Sequence, residues 1–121
     1  MSMRYLSVIR ANENQGPPSQ SLMDAMGPYV EKSMKSGAVV STGGLAPSAA
    51  GIRVAIRGGR ITVTDGPFAE AKEVIGGYAV IAAETREAAI AATREFMQLH
   101  VDHWPGWEGE CELRELVFLA P

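Results

Sequence analysis

The chain has 121 residues, of which 46% are hydrophobic and 21% charged, and this composition is typical of a single globular domain rather than a disordered chain. Its 11 basic and 14 acidic residues give a net charge of −3, which excludes nucleic-acid binding held mainly by bulk positive charge. The single cysteine excludes an internal disulfide and fits a reducing compartment. The longest strongly apolar run, residues 78–83, is too short to cross a bilayer. We therefore expect one cytoplasmic domain over residues 1–121.

The first third of the chain predicts a strand, a helix and a second strand. Residues 4–10 are apolar on both faces, which is typical of a central strand. Residues 20–36 carry one apolar stripe, formed by Leu22, Met26, Tyr29, Val30 and Met34, and this spacing indicates a helix. Pro28 cannot donate a backbone hydrogen bond, so we expect a kink or two abutting helices there. Residues 38–41 form the next predicted strand.

Residues 52–65 predict a β-hairpin, because apolar and polar residues alternate on both sides of Gly58-Gly59. A two-residue turn sets residue 57 opposite 60 and residue 52 opposite 65. The same parity puts Asp65 on the apolar face, at the end of the second strand. Its carboxylate then either lines a mouth between sheet and helices or accepts hydrogen bonds from the backbone of its own turn.

The remaining elements are a strand over 74–83, a helix and a last strand. Gly76-Gly77 indicates a bulge in the first of these. Thr85 is typical of a helix N-cap, and the helix runs to about residue 101. Its inner stripe consists of Ala89, Ile90, Thr93, Phe96, Met97 and His100. The last strand is predicted over 112–119.

The order β-α-β-β-β-β-α-β predicts an α+β fold. Without the hairpin it becomes the split β-α-β pattern of ferredoxin-like domains, an antiparallel sheet with both helices on one face. Several strands are apolar on both sides, so the other face of the sheet needs a cover. A second copy of the chain is the simplest cover, and we predict a homodimer in which sheet packs toward sheet.

Two further clusters are candidate ligand contacts. Lys72 and Glu73 follow the hairpin, where the lysine either binds an anionic ligand or belongs to a solvated surface cluster. Trp104 lies close to Trp107, and two neighbouring tryptophans either rim a pocket for a flat apolar ligand or cover the seam between two subunits.

His100 is the candidate proton-transfer residue, because it continues the inner stripe of the second helix. It is either a partly buried histidine bonded to a backbone carbonyl or a general acid and base. His100 and His103 would share a helix face and, with an aspartate, supply zinc ligands. The expectation from the residues is nevertheless no metal and no organic cofactor.

Three segments resemble one known family: TDGPFAEAKEVIGGYAVI at residues 64–81, TGGL at 42–45 and WPGWEGECELREL at 104–116. They are similar to the YCII-related, or DGPF-domain, proteins, and the resemblance extends over residues 3–118. It implies a ferredoxin-like domain that dimerises into an α+β barrel-type assembly. Distant relatives of this shape include muconolactone isomerases and small monooxygenases. Some members are encoded beside extracytoplasmic-function sigma factors, or fused to them.

The resemblance also implies candidate site residues. Other branches of the family carry a His–Asp pair, of which the aspartate matches Asp65 and the helix histidine falls near Met26. A methionine cannot transfer a proton. The first functional hypothesis is an isomerase- or lyase-type enzyme that uses Asp65 and His100, with Met26 and Tyr29 beside the substrate. The alternative is a non-catalytic ligand-binding or regulatory module associated with transcription.

Overall fold

The computed structural model describes residues 3–68 and 72–117. Their elements, in chain order, are β1 (Met3–Ala11), α1 (Gln20–Ser36), β2 (Val39–Gly44), β3 (Ile52–Arg57), β4 (Arg60–Asp65), β5 (Val74–Ala83), α2 (Arg86–His103) and β6 (Gly109–Glu115). Short 3-10 turns lie at Glu13–Gln15 and Ser48–Ala50. This order of strands and helices is the one that the sequence predicts.

Four strands form one antiparallel sheet in the order β2-β5-β1-β6. That is the strand order of a ferredoxin-like fold, with β1 in the interior as its apolar pattern predicts. The predicted bulge in β5 is confirmed, because Ile9 pairs with Gly77 and Arg10 with Ile75, which leaves Gly76 unpaired. The bulge lies at the end of β5 that borders the cavity described below.

Both helices begin where side chains can cap them. Ser19 accepts a hydrogen bond from the backbone N–H of Leu22, and Thr85 accepts one from Ala88. The expectation of two abutting helices at Pro28 is wrong, because α1 continues through it as one helix. Pro28 lies on an exposed side of the helix, where water can hydrogen-bond the carbonyl oxygen that the proline leaves without a donor.

One face of the sheet carries the core and both helices. Tyr5 and Ile81 pack there against Ala89 of α2. The opposite, open face of the sheet bears Leu6 and Val8 of β1 together with Val80 and Ala82 of β5, and neither helix covers it. Within the described ranges, no helix is long and apolar enough to span a membrane.

The hairpin differs from the expectation in its surroundings. Its register is as predicted, with Arg57 opposite Arg60 and Ile52 opposite Asp65. However, β3 and β4 form a separate two-stranded sheet, and their five apolar side chains are 65–72% exposed (Ile52, Val54, Ile56, Ile61 and Val63). Asp65 is likewise exposed. The parity argument placed it on the correct face, but that face does not belong to the core.

Smaller corrections concern the ends of the apolar stripes and the last strand. Met34 and Ile90 are 45% and 39% exposed, because they lie toward the edges of their helix stripes rather than at the centre. Strand β6 covers 109–115 rather than 112–119; the final residues of the predicted strand, 118–119, lie outside the described residues. The strand begins earlier because Gly109 already pairs with Ala11.

Candidate functional site

A cavity of about 830 Å³ lies between the four-stranded sheet and the two helices, a size within the range of small-molecule sites. Its floor is formed by helix-facing residues of β1 and β5, among them Ser7, Ile9 and Ala79. Residues of α1 and α2 form the opposite wall. The lining is mostly apolar, and Glu13 is the only carboxylate that the described residues contribute to it.

Five rings form a continuous aromatic row along this cavity. The ring centroids of Tyr29 and Phe96 are 6.2 Å apart, those of Phe96 and His100 4.9 Å, and those of His100 and Trp107 4.7 Å. Trp107 stacks on Trp104 at 5.5 Å, with only 21° between the planes. All five residues line the cavity. We call this set the aromatic row.

His100 is fixed within the aromatic row by its own helix. The ring is 7% exposed, and its Nδ1 lies 3.1 Å from the backbone oxygen of Phe96. A carbonyl oxygen only accepts, so Nδ1 carries the hydrogen and Nε2 keeps its lone pair. No described residue hydrogen-bonds to Nε2. Burial lowers the pKa of His100, against the opposing effect of the Phe96 carbonyl, so the ring is neutral near pH 7.

Tyr29 supplies a hydroxyl to the same wall. It donates to the backbone oxygen of Ala92 over 3.4 Å, a long hydrogen bond. Burial, assisted by the charge of Glu95, raises the pKa of Tyr29. The side chain is therefore a neutral phenol over the physiological range, and its oxygen can still accept a hydrogen bond.

Hydrogen bonds between Glu13 and Ser48 join two loops that border the cavity, and we call this contact the clasp. The Glu13 carboxylate accepts a hydrogen bond from the backbone N–H of Ser48 at 2.7 Å and another, shorter one from the Ser48 hydroxyl. These bonds lower the pKa of Glu13. Both residues line the cavity. Sequence analysis missed this clasp, since nothing in the pattern relates two polar loop residues 35 positions apart.

The structure brings four of the predicted site residues together and leaves three apart. Met26, Tyr29, His100 and Trp104 all line the cavity. Asp65, Lys72 and Glu73 are exposed and do not line it. Glu73 instead borders a shallow surface recess whose other acidic members are Glu108 and Glu110.

The turn at residues 65–68, which we call the DGPF turn, is held by one backbone hydrogen bond and one side-chain contact. Gly66 donates a hydrogen bond from its N–H to the backbone oxygen of Gly51 at 2.8 Å. The guanidinium of Arg53 lies 3.8 Å from the centroid of the Phe68 ring, a cation–π contact. Pro67 of the same turn lines the cavity, so the turn borders the site without placing its acid in it.

Cys111 lies behind the cavity and is not suited to nucleophilic chemistry. Burial raises the pKa of its thiol, and the sulfur lies 3.4 Å from the Met97 sulfur. A thiol kept protonated is a poor nucleophile. Among the described residues, no group of three histidine, cysteine or acidic side chains is close enough to hold a metal ion.

Comparison with known proteins identifies the family of the chain. The model of the YCII-related domain matches residues 3–97, a range that includes the sheet floor, Met26 and Tyr29 but ends before His100. No curated protein shows significant similarity to the chain. Since the matched range covers more than half of the sequence, the chain belongs to the YCII-related domain family.

Proposed function

We propose that this protein binds a small, mostly apolar molecule in the cavity between the sheet and the helices. The observation that carries the proposal is the cavity itself: about 830 Å³, largely apolar, with the neutral His100 in its wall. Such a space, left unfilled in a small domain, forfeits packing contacts that a ligand would supply. We also propose a cytoplasmic location, because the single cysteine is a free thiol and free thiols are typical of reducing compartments.

Proton transfer of an isomerase or lyase type is the second candidate function, and one observation favours it. The Phe96 carbonyl fixes the tautomer of His100, which leaves Nε2 free to take a proton from a ligand. The two-group version with Asp65 has less support, because that carboxylate is exposed and lies outside the cavity lining. We therefore propose a single-base reaction for this alternative, and rank it behind binding alone.

Thermal-shift screening against a metabolite library tests the binding proposal, since a ligand that binds only the folded chain raises its melting temperature. At 100 times Kd the stabilisation is about 2.7 kcal/mol, which corresponds to several degrees for a domain of this size. Gly44→Val is the informative variant: Gly44 lines the cavity, and a Cβ added there meets no atom within 4 Å. The extra side chain therefore starts in open space, and we expect it to take up room that a ligand would use.

We expect the shift to disappear in Gly44→Val and to persist in Asp65→Asn, the matched control outside the cavity. A ligand whose shift survives Gly44→Val, or is lost only in Asp65→Asn, places the site elsewhere. For any ligand with a C–H next to a carbonyl, exchange of that hydrogen in D2O followed by NMR tests catalysis. Exchange that His100→Gln abolishes supports the single-base reaction, and its absence in the wild type leaves binding alone.

We also propose that the protein is a homodimer in which a second copy covers the open face of the sheet and the apolar face of the hairpin. An isolated two-stranded hairpin is marginally stable at best. Fully burying an isoleucine or valine side chain contributes about 1.5–3 kcal/mol. Covering five such side chains that are about two-thirds exposed would contribute roughly 5–10 kcal/mol, as an upper bound. That gain favours a permanent subunit contact.

A further inference from the structure

The two walls of the cavity differ in a way that limits the shape of a ligand. One wall is the aromatic row. The sheet side carries glycine at Gly44, Gly76 and Gly77, where no side chain projects. A Cβ added to Gly44 or Gly76 would meet no atom within 4 Å, so open space reaches the backbone there. Aromatic rings thus line one side, and on the other side the glycines leave room beside the side chains of Ser7, Ile9 and Ala79. This room next to the rings suits a planar molecule.

The charges around the cavity limit the ligand further. No lysine or arginine of the described residues lines it, so an anion would find no counter-charge there. Its only carboxylate, Glu13, already accepts two hydrogen bonds from Ser48. Transferring an ion from water to such a lining without a partner is costly. An uncharged ligand avoids that cost.

The hydrogen-bonding groups indicate which polar atom the ligand carries. Nδ1 of His100 is engaged by its own helix, and Nε2 has no partner among the described residues. A neutral imidazole nitrogen without hydrogen only accepts. The group that pairs with it must therefore be a donor, an O–H or an N–H, attached to the part of the ligand that lies beside the aromatic row.

We infer that the ligand is an uncharged, planar aromatic molecule whose hydroxyl or N–H group donates a hydrogen bond to Nε2 of His100. This inference rests on the proposed function, since it names the ligand class of the same cavity. Offset-stacked and edge-to-face ring contacts favour an aromatic ligand over a saturated one of equal area. The neighbouring rings of Phe96 and Trp107 offer such contacts on either side of the histidine.

Four matched probes test the ligand class by isothermal titration calorimetry on the full chain. They are 2-naphthol, 2-methoxynaphthalene, which lacks the donor, decahydro-2-naphthol, which lacks the aromatic plane, and 2-naphthoate, which is charged. We expect 2-naphthol to bind about 2- to 10-fold more tightly than its methyl ether, the range that one hydrogen bond supplies. The saturated alcohol and the anion bind more weakly still.

His100→Phe tests the acceptor, because it keeps an aromatic ring beside Phe96 and Trp107 and removes both ring nitrogens, Nε2 among them. In this variant the preference for 2-naphthol over 2-methoxynaphthalene is expected to vanish while the ether binds as before. An unchanged preference overturns the assignment to His100. If His100→Phe fails to fold, the same comparison in His100→Leu, whose side chain has no acceptor, takes its place.

Gly44→Val separates this inference from the proposed function. Equal or tighter binding of decahydro-2-naphthol or 2-naphthoate that Gly44→Val abolishes overturns the ligand class and leaves the cavity as the site. Binding of any probe that Gly44→Val does not weaken overturns both. Failure of all four probes to bind at millimolar concentration overturns the ligand class. The metabolite screen then tests whether the cavity binds a ligand of another class.

Discussion

At the scale of single residues, His100 is buried, and its Nδ1–H donates a hydrogen bond to the backbone oxygen of Phe96. Burial is the larger effect and lowers the pKa of His100 below the ordinary value of about 6.5. The folded chain then binds fewer protons at this site than the unfolded chain. Stability is therefore fully present above pH 6.5 and falls as the pH drops from that value through the lowered pKa.

The prediction is that His100→Phe flattens this part of the stability curve. Urea unfolding at pH values from 7.5 to 5 should show the wild type losing free energy of unfolding below pH 6.5, by about 1.4 kcal/mol for each unit by which the pKa is lowered. His100→Phe should lose less over the same interval. Every other titratable group is common to the two proteins, so the difference between the curves isolates His100. Parallel curves would contradict the burial of a neutral histidine.

Glu13 is a second residue whose role is local and titratable. Its carboxylate accepts both hydrogen bonds from Ser48, and these bonds lower its pKa. The hydrogen bonds of the clasp are therefore fully formed above the ordinary pKa of a glutamate side chain. They weaken as the pH falls through the lowered pKa of Glu13. Because both loops border the cavity mouth, this contact orders the mouth rather than the core.

Glu13→Gln tests the clasp through the amide of Ser48. The two bonds from Ser48 use the two different carboxylate oxygens. Glutamine replaces one of these oxygens by an NH2 group, which cannot accept, and it carries no charge. The protection factor of the Ser48 N–H against hydrogen exchange should therefore fall several-fold at pH 7. The wild type should approach the variant as the pH falls through the lowered pKa of Glu13. Thr62→Val, on the hairpin and remote from the mouth, is the control. Unchanged protection in Glu13→Gln would show that the turn at Ser48–Ala50 holds itself.

At the scale of elements, the turn after β4 depends on the absence of a side chain at one position. A Cβ on Gly66 would lie 1.8 Å from the backbone oxygen of Ser48, a distance that no rotamer change relieves. Gly66→Ala must therefore shift the DGPF turn away from the Ser48 loop and break the hydrogen bond from Gly66 to Gly51. Overpacking of this kind costs about 1–3 kcal/mol.

Gly44→Ala provides the matched comparison, because its added Cβ meets nothing within 4 Å. Denaturant unfolding should place Gly66→Ala lower in stability by about 1–3 kcal/mol, with Gly44→Ala close to the wild type. Equal stabilities of the two variants would mean that the turn and the Ser48 loop are not held together in solution.

Several features of the strands and helices could be predicted from the sequence. Rules that act over a few residues performed well: Gly58-Gly59 gave the hairpin register, Thr85 gave the start of α2, and Gly76 gave the bulge. Each depends on local backbone geometry alone. The helix over residues 20–36 was predicted, but its division into two helices at Pro28 was wrongly expected, because a rule for isolated helices ignores the water that reaches an exposed side.

The candidate site was predictable only in part, for a physical reason. Tyr29, Met26 and His100 were identified because a helical stripe that faces a sheet must line whatever space lies between them. Asp65 was placed on the correct face of the hairpin, but the parity of a hairpin gives its faces and not their neighbours, so it could not show that this face lies outside the cavity. Whether that hairpin lies on the core depends on long-range packing, and no residue pattern within the hairpin contains that information.

At the scale of the whole molecule, the interior is small for the length of the chain. Only four hydrophobic residues of the described ranges are buried: Tyr5, Leu22, Ile81 and Ala89. The cavity lies between the sheet and the helices, the five apolar side chains of the hairpin are exposed, and neither helix covers the open face of the sheet. A domain of this size buries only about two-thirds of its unfolded surface. Both a ligand and a second subunit would therefore add to a limited core.

The homodimer proposal is tested at two adjacent positions of β4 that point to opposite faces. Ile61 is on the apolar face and 72% exposed, and Thr62 is exposed on the other face. Introducing a lysine at the first would bury an unpaired charge against the second copy, whereas a lysine at the second remains solvated. In sedimentation velocity at micromolar concentration, the wild type and Thr62→Lys should sediment as dimers and Ile61→Lys as a monomer. A monomeric wild type, or equal sedimentation of the two variants, contradicts the proposal, since the apolar face of the hairpin would then remain exposed to water.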